Sequence, residues 1–186
     1  YTEKDKIYYN TKIISNERST NMKSIEDHLI NKLYELTNYT LSKFIKPDLT
    51  FETITDLDSQ TVTQIKQSYG IEGIILDVDD TLRKNMQKIP PSNKAWLEQI
   101  KKQLKVIVVS NGVDKQVEQY LQTQGIDYIG FARKPLKLNF QRACQKMHIK
   151  PEQVLVIGDS LWADIYGGQR NNMFSALIKR VNDEER

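Results

Sequence analysis

The sequence predicts a doubly wound, Rossmann-like α/β domain with a parallel sheet of about five strands. Three observations support this fold class. Short apolar runs recur between residues 74 and 178, amphipathic helical patterns separate them, and polar or acidic residues follow the ends of four runs. Because repeated strand–helix units join strands that run in the same direction, we expect right-handed crossovers and helices on both faces of the sheet.

Each predicted strand is a short run of apolar residues of the kind that is buried on both faces of a sheet. We assign strands to residues 74–76, 106–109, 128–132, 154–157 and 174–178. In the intervening helices, apolar residues recur three and four positions apart. We assign helices to residues 92–104, to a segment with Val113, Val117 and Leu121, to a segment with Phe140, Ala143, Cys144 and Met147, and to residues 161–170. The pattern Phe140, Ala143, Cys144 and Met147 places Cys144 in the core.

The N-terminal part has a different pattern. Residues 1–21 are polar and without a period, so we expect a disordered or non-native extension there. Residues 22–69 are expected to form a helical extension, with an amphipathic helix that begins near Ser24 and either packs on the domain or docks on a membrane or partner. Asp58 and Ser59 are typical helix caps, and Gly70 ends that helix. Residues 70–186 form the predicted catalytic domain.

Composition narrows the functional classes. Hydrophobic residues make up 39% of the 186 residues and charged residues 27%, and no apolar run approaches the roughly 18 residues of a membrane span. A formal charge of +3 is too small to argue nucleic-acid binding, so we expect no nucleic acid, although an anionic substrate or lipid surface is compatible with it. The single cysteine excludes an intrachain disulfide and fits a cytoplasmic protein.

Chemically useful side chains follow the ends of four predicted strands. Ligands of open α/β sheets bind beyond the carboxyl ends of the strands, so these positions are the candidate site. They are Asp77, Asp79, Asp80 and Thr81 after the first strand, Ser110 and Asn111 after the second, Arg133 and Lys134 after the third, and Gly158, Asp159 and Asp164 after the fourth. Carboxylates suit a hard cation such as Mg²⁺, and hydroxyl, amide and lysine groups suit phosphoryl oxygens. The set therefore predicts phosphoryl-transfer chemistry.

With these motifs in this order, the sequence resembles the haloacid dehalogenase (HAD) superfamily over about residues 70–180. The most specific element is Asp77-Val-Asp79-Asp80-Thr81 after an apolar strand. The segments after the first and second motifs are too short for the cap domain that many members carry, so the resemblance is to capless subclass IIIA. An open site of this kind suits a large substrate or one presented on a surface.

The resemblance implies a role for each matching residue. Asp77 would be the nucleophile that forms an aspartyl phosphate, and Asp79 the general acid and base. Mg²⁺ would be held by the Asp77 carboxylate, the Asp79 backbone carbonyl and Asp159, with Asp164 as a ligand or a partner of the ligands. The expected phosphoryl contacts come from Ser110 and Lys134, with Thr81 and Asn111 beside them; Asn111 and Asp80 are equally explained as residues that shape their loops.

Within the superfamily, the chain resembles the YqeG branch, which is related to phosphatidylglycerophosphate phosphatases. Three segments support this, residues 44–48 (FIKPD), 132–135 (ARKP) and 158–170 (GDSLWADIYGGQR). The chain departs from that branch at Asp80 and Gln169, where asparagine is usual, and at Asn172, where glycine is usual. Because asparagine tolerates a left-handed turn, the last change is compatible with the fold.

The implied function is a Mg²⁺-dependent phosphomonoesterase, with phosphatidylglycerophosphate in phospholipid synthesis as its substrate. It would work in the cytoplasm, with peripheral contact at the inner face of the membrane, where Arg83, Lys84, Arg133 and Lys137 either form a basic rim or are simply solvated. Two alternatives stay open. The phosphatase could act on a nucleic-acid end, a sugar phosphate or a phosphoprotein, or the site could be a phospho-acceptor or binding module without turnover. The oligomeric state is left open.

Overall fold

The computed structural model describes residues 40–41, 43–84 and 86–181. The chain divides into two compact units, Tyr1–Leu41 and Ser42–Arg186, and the sheet belongs to the second. The predicted extension over residues 1–21 and the predicted helix that begins near Ser24 lie outside the described residues. Within the described part of the chain, no helix is long and apolar enough to cross a membrane.

The described residues form one parallel sheet of six strands, which confirms the doubly wound α/β class. The strands are β1 (Leu49–Phe51), β2 (Gly73–Leu76), β3 (Lys105–Val109), β4 (Asp127–Ile129), β5 (Val154–Gly158) and β6 (Phe174–Ile178), in the spatial order β1-β6-β5-β2-β3-β4.

The sheet has one strand more than the five expected. The additional strand is β1, which contains only three residues and lies in the stretch assigned to a helical extension; Thr50 is paired with Leu177 of β6. Three residues are too few to display an alternating pattern, so the pairing partner decides the conformation. The division at residue 70 stays a prediction, and β1 shows that the sheet itself extends N-terminal to it.

Four helices connect the strands, α1 (Ser59–Tyr69), α2 (Pro91–Ile100), α3 (Lys115–Thr123) and α4 (Lys137–Met147). There are also 3-10 turns at Ile54–Asp56 and Pro151–Gln153, and a π-helix at Leu161–Tyr166 that continues into the α-helical turn Gly167–Gln169. The predicted helix with Val113 begins later than expected, because the Asp114 carboxylate accepts hydrogen bonds from the N–H groups of Gln116 and Val117. Val113 lies outside α3 and is exposed.

Asp58 and Gly70 are confirmed as the caps of α1, whereas Ser59 is its first helical residue and not a cap. Asp58 accepts a hydrogen bond from the Thr61 N–H at 2.8 Å, and Gly70 ends the helix with a φ of 67°. Asn172 likewise has a left-handed φ of 60°, as expected for a residue that replaces glycine in a turn.

Two apolar cores cover the two faces of the sheet. Alternation along β2 sends Ile74 and Leu76 into one core and Ile75 into the other. Cys144 lies in the second core, beside Phe140, as its helical spacing predicted. Each fully buried large side chain contributes about 1.5–3 kcal/mol relative to exposure, so these layers fix the sheet on which the site is built.

The strand order also determines where a ligand binds. β3 and β4 extend the sheet on one side of β2, while β5, β6 and β1 extend it on the other. The direction of winding therefore reverses between β2 and β5, and the crevice beyond the carboxyl ends of those strands is the expected ligand site.

Candidate active site

Asp77 lies at the carboxyl end of β2, at the centre of the sheet. Its backbone N–H donates to the Ile157 carbonyl of β5, and its side chain is 11% exposed. Because Leu76 is paired with Val108 on one side and Ile157 on the other, the residues that follow β3 and β5 lie beside Asp77. Strand pairing thus brings the first, second and fourth motifs to one edge.

Three carboxylates meet at that edge. Asp77, Asp159 and Asp164 each offer one carboxylate oxygen, and the three oxygens lie within 4.8 Å of one another. Asp164 is 1% exposed, while Asp159 is partly exposed. The structure therefore brings together three of the four acids predicted to surround the metal. The carboxylate of the fourth, Asp79, is paired with Arg83 instead.

The π-helix delivers Asp164 to the cluster. Asp164 accepts a hydrogen bond from the Ser160 N–H at 3.2 Å, and the Ser160 hydroxyl caps the π-helix through the Ala163 N–H. A Cβ on Gly158 would lie only 2.2 Å from Cγ of Asp164, so this close approach requires glycine at the end of β5. Gly158 is therefore part of the geometry that positions the acid.

Lys134 bridges two of these acids. Its Nζ donates to Oδ1 of Asp77 at 2.5 Å and to Oδ1 of Asp164 at 2.6 Å, and its side chain is 2% exposed. The Lys134–Pro135 peptide bond is cis. The third predicted motif thus meets the first and fourth in one buried ion-pair network.

The cluster carries more negative charge than Lys134 balances. Burial raises the pKa of the Asp77 carboxyl to about 7, with Lys134 acting against the rise and Asp164 adding to it. Burial also raises the pKa of Asp159 to about 8, helped by the Asp164 and Asp77 charges. Although burial disfavours the charged ammonium, the Asp164 and Asp77 carboxylates raise the pKa of Lys134. The lysine is therefore a fixed cation beside carboxylates that tend to hold protons.

The donor set of the cluster fits a hard divalent cation. Carboxylate oxygens are the ligands that Mg²⁺ and similar ions prefer. A dication offsets both the burial and the carboxylate repulsion that raise the pKa values of Asp77 and Asp159. The cluster can therefore hold a metal ion through Asp77, Asp159 and Asp164.

Ser110 and Asn111 follow β3 and occupy different positions. Ser110 is buried, and its hydroxyl accepts a hydrogen bond from the Gly112 N–H at 3.1 Å. Asn111 is exposed and accepts the Lys134 N–H at 2.7 Å through its side-chain oxygen. Its contact with the Lys134 backbone indicates that Asn111 shapes the loop that carries the lysine.

Thr81 is completely buried, and its hydroxyl oxygen has no hydrogen-bond partner among the described residues. Asp80 is exposed and adopts a left-handed φ of 58°. Asp80 thereby lets the chain turn back directly after Asp79. This geometry favours the interpretation of Asp80 as a residue that shapes its loop.

The carboxylate of Asp79 does not join the cluster formed by Asp77, Asp159 and Asp164. Its Oδ1 accepts a hydrogen bond from Nε of Arg83 at 2.9 Å, and Arg83 Nη1 donates to Oδ2 of Asp114 at 2.7 Å. Arg83 is 4% exposed. Both interpretations of Arg83, as part of a basic rim or as a solvated cation, place it at the surface and were wrong, because a guanidinium with two acid partners is stable in a buried position.

Sequence reasoning missed the role of Arg83. The four-residue separation from Asp79 was a weak signal, since it suggests an ion pair only if the segment is a helix. Here the segment is a loop, and Asp114 lies 31 positions away in sequence.

Exposed apolar side chains stand on segments at the same edge of the sheet as the site. Six of them stand on segments that follow strand ends or open α4, and we call them the apolar rim: Met86, Val113, Phe131, Leu136, Leu138 and Trp162. Exposed cations lie on the same segments, at Lys84, Lys115, Arg133 and Lys137. Apolar groups of this size interleaved with basic ones are typical of surfaces that bind partners or lipids.

Comparison with known proteins adds a family context. A family model described as a haloacid dehalogenase-like hydrolase matches residues 87–172. The chain is 35% identical over 143 residues to Probable phosphatase YqeG from Bacillus subtilis (strain 168). The matched region covers 76% of this chain and 81% of that protein.

Two further similarities are more distant. The chain is 25% identical over 103 residues to Glyceraldehyde 3-phosphate phosphatase from Pyrococcus furiosus, which covers 50% of this chain and 43% of that protein. Among solved structures, 2-haloacid dehalogenase from Pseudomonas syringae pv. Tomato DC3000 has a TM-score of 0.48 and 13% identity, covering 62% of this chain and 91% of that one.

Proposed function

Since the chain belongs to the haloacid dehalogenase-like hydrolases and is a phosphatase of that family, we propose that it hydrolyses phosphomonoesters through a phosphorylated Asp77 with a bound Mg²⁺. The observation that carries this proposal is the buried Asp77 carboxylate beside Lys134, with Asp159 and Asp164 within 4.8 Å. A carboxylate held beside a cation and a metal site is well placed to attack phosphorus in line.

In the first half of the reaction, an Asp77 oxygen bonds to phosphorus and the bond from phosphorus to the leaving oxygen breaks. Lys134 neutralises charge on Asp77, and the Ser110 hydroxyl contacts a phosphoryl oxygen. Asp79 gives a proton to the leaving oxygen. In the second half, Asp79 takes a proton from water as that water displaces Asp77 from phosphorus.

Mg²⁺ would be held by Asp77, Asp159 and Asp164, with the Asp79 backbone carbonyl as a further ligand. When bound, it would supply positive charge that neutralises phosphoryl oxygens. The three carboxylates support this assignment because their excess negative charge needs a cation. Thr81 and Asn111 support these groups without being metal ligands. Asn111 does so by binding the backbone of the loop that carries Lys134.

An Asp77→Asn variant tests the nucleophile. We expect phosphate release from nitrophenyl phosphate with Mg²⁺ to fall by more than about a thousandfold, because the amide cannot form the acyl phosphate. Acid quenching should trap a phosphoenzyme in the wild type and none in the variant. Asp127→Asn, an exposed aspartate in β4, is the matched control and should retain activity. Equal, negligible turnover by wild type and Asp77→Asn would refute the proposal.

For the substrate, we propose a phosphorylated membrane lipid, specifically phosphatidylglycerophosphate. Only residues 77–90 separate β2 from α2, and only residues 110–114 separate β3 from α3, so these connections of the described chain leave no room for a cap domain. The apolar rim and its neighbouring cations support docking on an anionic bilayer, where apolar side chains enter the interface and lysines approach the headgroups. The site would then open towards the lipid surface, on the cytoplasmic side of the membrane.

Vesicle sedimentation tests this substrate class. Wild-type protein should bind phosphatidylglycerol vesicles more strongly than phosphatidylcholine vesicles, and Phe131→Ser with Leu138→Ser should weaken binding and lipid turnover while hydrolysis of nitrophenyl phosphate stays near wild type. A screen with nucleotide, sugar and protein phosphates runs beside it. Higher turnover of any of those, with no loss from the rim variants, would replace the lipid assignment.

A further inference from the structure

Arg83 is a buried guanidinium that connects two acids from different motifs. Its Nε donates to Oδ1 of Asp79 at 2.9 Å, and its Nη1 donates to Oδ2 of Asp114 at 2.7 Å and to the Gln87 carbonyl at 3.2 Å. Since these donors already have protein acceptors, Arg83 is not arranged as a phosphate ligand. Its hydrogen bonds instead hold the carboxylate of Asp79 in place.

The two oxygens of Asp79 have different surroundings. Oδ1 accepts from Arg83 and from the Met86 N–H at 3.4 Å. Oδ2 lies 3.7 Å from the point that a Cβ on Gly112 would occupy, and the Ser110 hydroxyl lies 3.7 Å from the same point. One oxygen is thus fixed by the loop, and the other faces the side of the site where Ser110 lies.

The backbone fixes Arg83 relative to Asp79. Asp79 and Arg83 form an isolated parallel bridge, and the Asp80 N–H donates to the Arg83 carbonyl at 2.7 Å. The left-handed Asp80 allows this return of the chain. Because backbone hydrogen bonds within the turn bring Arg83 back beside Asp79, the guanidinium lies next to the Asp79 carboxylate.

Asp114 anchors the other end of the guanidinium. Its Oδ1 caps α3 through the N–H groups of Gln116 and Val117, which leaves Oδ2 for Arg83. α3 follows β3, the strand that ends at Val109, directly before Ser110. Arg83 therefore ties the orientation of Asp79 to the start of the helix that follows the Ser110 loop.

We propose that Arg83 is a positioning residue that fixes Oδ1 of Asp79 and thereby aims Oδ2 at the leaving oxygen of the substrate. This inference rests on the proposed function, in which Asp79 transfers the proton. The proton moves from Oδ2 to the leaving oxygen as the phosphorus–oxygen bond breaks, and returns to Oδ2 from the attacking water. A carboxylate free to rotate would present the wrong oxygen or the wrong distance for that transfer.

A leaving-group series tests this role. Dinitrophenolate departs without a proton, whereas phenolate and alkoxide need one, so only the latter substrates depend on a well-aimed acid. For Arg83→Met we expect kcat/KM to fall about 100-fold or more for phenyl phosphate and an alkyl phosphate, and less than about threefold for dinitrophenyl phosphate. With dinitrophenyl phosphate, slow hydrolysis of the phosphoenzyme should produce a burst.

Further variants separate positioning from general stability. Asp79→Asn should show the same leaving-group pattern, and adding Arg83→Met to it should cause little further loss, because both changes remove one function. Asp114→Ser keeps a capping oxygen for α3 but removes the acceptor of Arg83, so we expect a milder form of the same pattern. Arg83→Lys retains a cation that reaches one acid and should recover part of the activity. Lys88→Gln, an exposed neighbour, is the control.

The structure also offers a chemical rescue. A surface pocket of about 240 Å³ opens over Arg83 and is lined in part by Ile89, Asp114 and Tyr120. In an Arg83→Ala variant, guanidinium from solution can enter between the two acids, so guanidinium should restore phenyl phosphate turnover and urea should not.

The outcomes separate the two proposals. A uniform loss across all leaving groups, additive effects with Asp79→Asn, or no rescue in a folded Arg83→Ala protein would each overturn the positioning role. If Arg83→Met does not fold, Asp114→Ser decides, and a flat leaving-group response in that variant overturns the role as well. If wild type itself does not turn over any of these phosphates, the proposed function fails instead.

Discussion

Replacing Lys134 by methionine removes the buried cation while keeping most of the side-chain volume. In the wild type, Nζ donates to Asp77 and Asp164, and the side chain is 2% exposed. Removing one partner of a buried ion pair typically costs about 3–5 kcal/mol because the remaining charges lose their compensation. At roughly 2–4 °C per kcal/mol for a domain of this size, the thermal midpoint of the metal-free protein should fall by about 10 °C at pH 8.

The loss of stability in Lys134→Met should depend on pH and on metal. The pKa of Asp77 is already raised to about 7 by burial, so at pH 5.5 a proton replaces part of the missing lysine charge and the loss should be smaller than at pH 8. Saturating Mg²⁺ should also reduce the loss at pH 8, and turnover should fall by about 100-fold or more even with the metal bound.

Thermal unfolding with and without EDTA at the two pH values measures this loss. Lys146→Met is the matched control, because Lys146 pairs with Asp127 at 3.2 Å on the surface, where such a pair contributes about 0–1 kcal/mol. If Lys134→Met and Lys146→Met unfold at the same temperature at pH 8 and retain equal turnover, the buried ion-pair argument is refuted.

Three further predictions concern the metal cluster, its glycine and the cysteine. Burial raises the folded pKa of Asp77 to about 7 and of Asp159 to about 8 from 3.8, so the folded metal-free protein binds extra protons between about pH 4 and 8. Its stability should therefore fall as pH rises through that window. Mg²⁺ should raise the thermal midpoint more at pH 8 than at pH 5.5, and an equal shift at the two pH values would contradict this. Gly158→Ala should destabilise the fold by at least about 2 kcal/mol in chemical denaturation and abolish turnover, because its Cβ would meet Asp164, whereas Gly112→Ala, with contacts no closer than 3.7 Å, should keep wild-type stability. Burial raises the pKa of the Cys144 thiol to about 11, so native protein at pH 8 should react with a thiol reagent only as fast as it unfolds, and rapid labelling of folded protein would contradict this.

The fold and the convergence of Asp77, Asp159 and Asp164 could be predicted from sequence because both depend on local signals. An apolar run that ends in Asp77, and another that ends in Gly158-Asp159, each identify a strand and its carboxyl end without reference to the rest of the chain. Parallel pairing then brings those ends together, whichever other strands are present.

The features that could not be predicted depend on distant partners. β1 is a strand because β6 is available to pair with it, and Arg83 is buried because Asp114 lies across the loop from it. Similarly, Asn111 acts on Lys134, which lies 23 positions away in sequence. A single sequence does not encode these distances in any periodic pattern, so charge was the only available guide, and for Arg83 it gave the wrong surface assignment.

The charge balance explains how one chain can keep such a site folded. Lys134 compensates one of the three carboxylates in the cluster, while Asp79 is compensated separately, by Arg83, outside it. Because the two ion-pair networks do not share a cation, the charge left in the metal cluster can be relieved by protons or by a divalent ion without disturbing Asp79. In the proposed mechanism, proton transfer and metal binding therefore fall to different acids of the Asp77–Asp80 segment, although only one residue separates Asp77 from Asp79. In that mechanism, the buried guanidinium gives the proton-transferring carboxylate an ion pair of its own, separate from the carboxylates that would hold the metal.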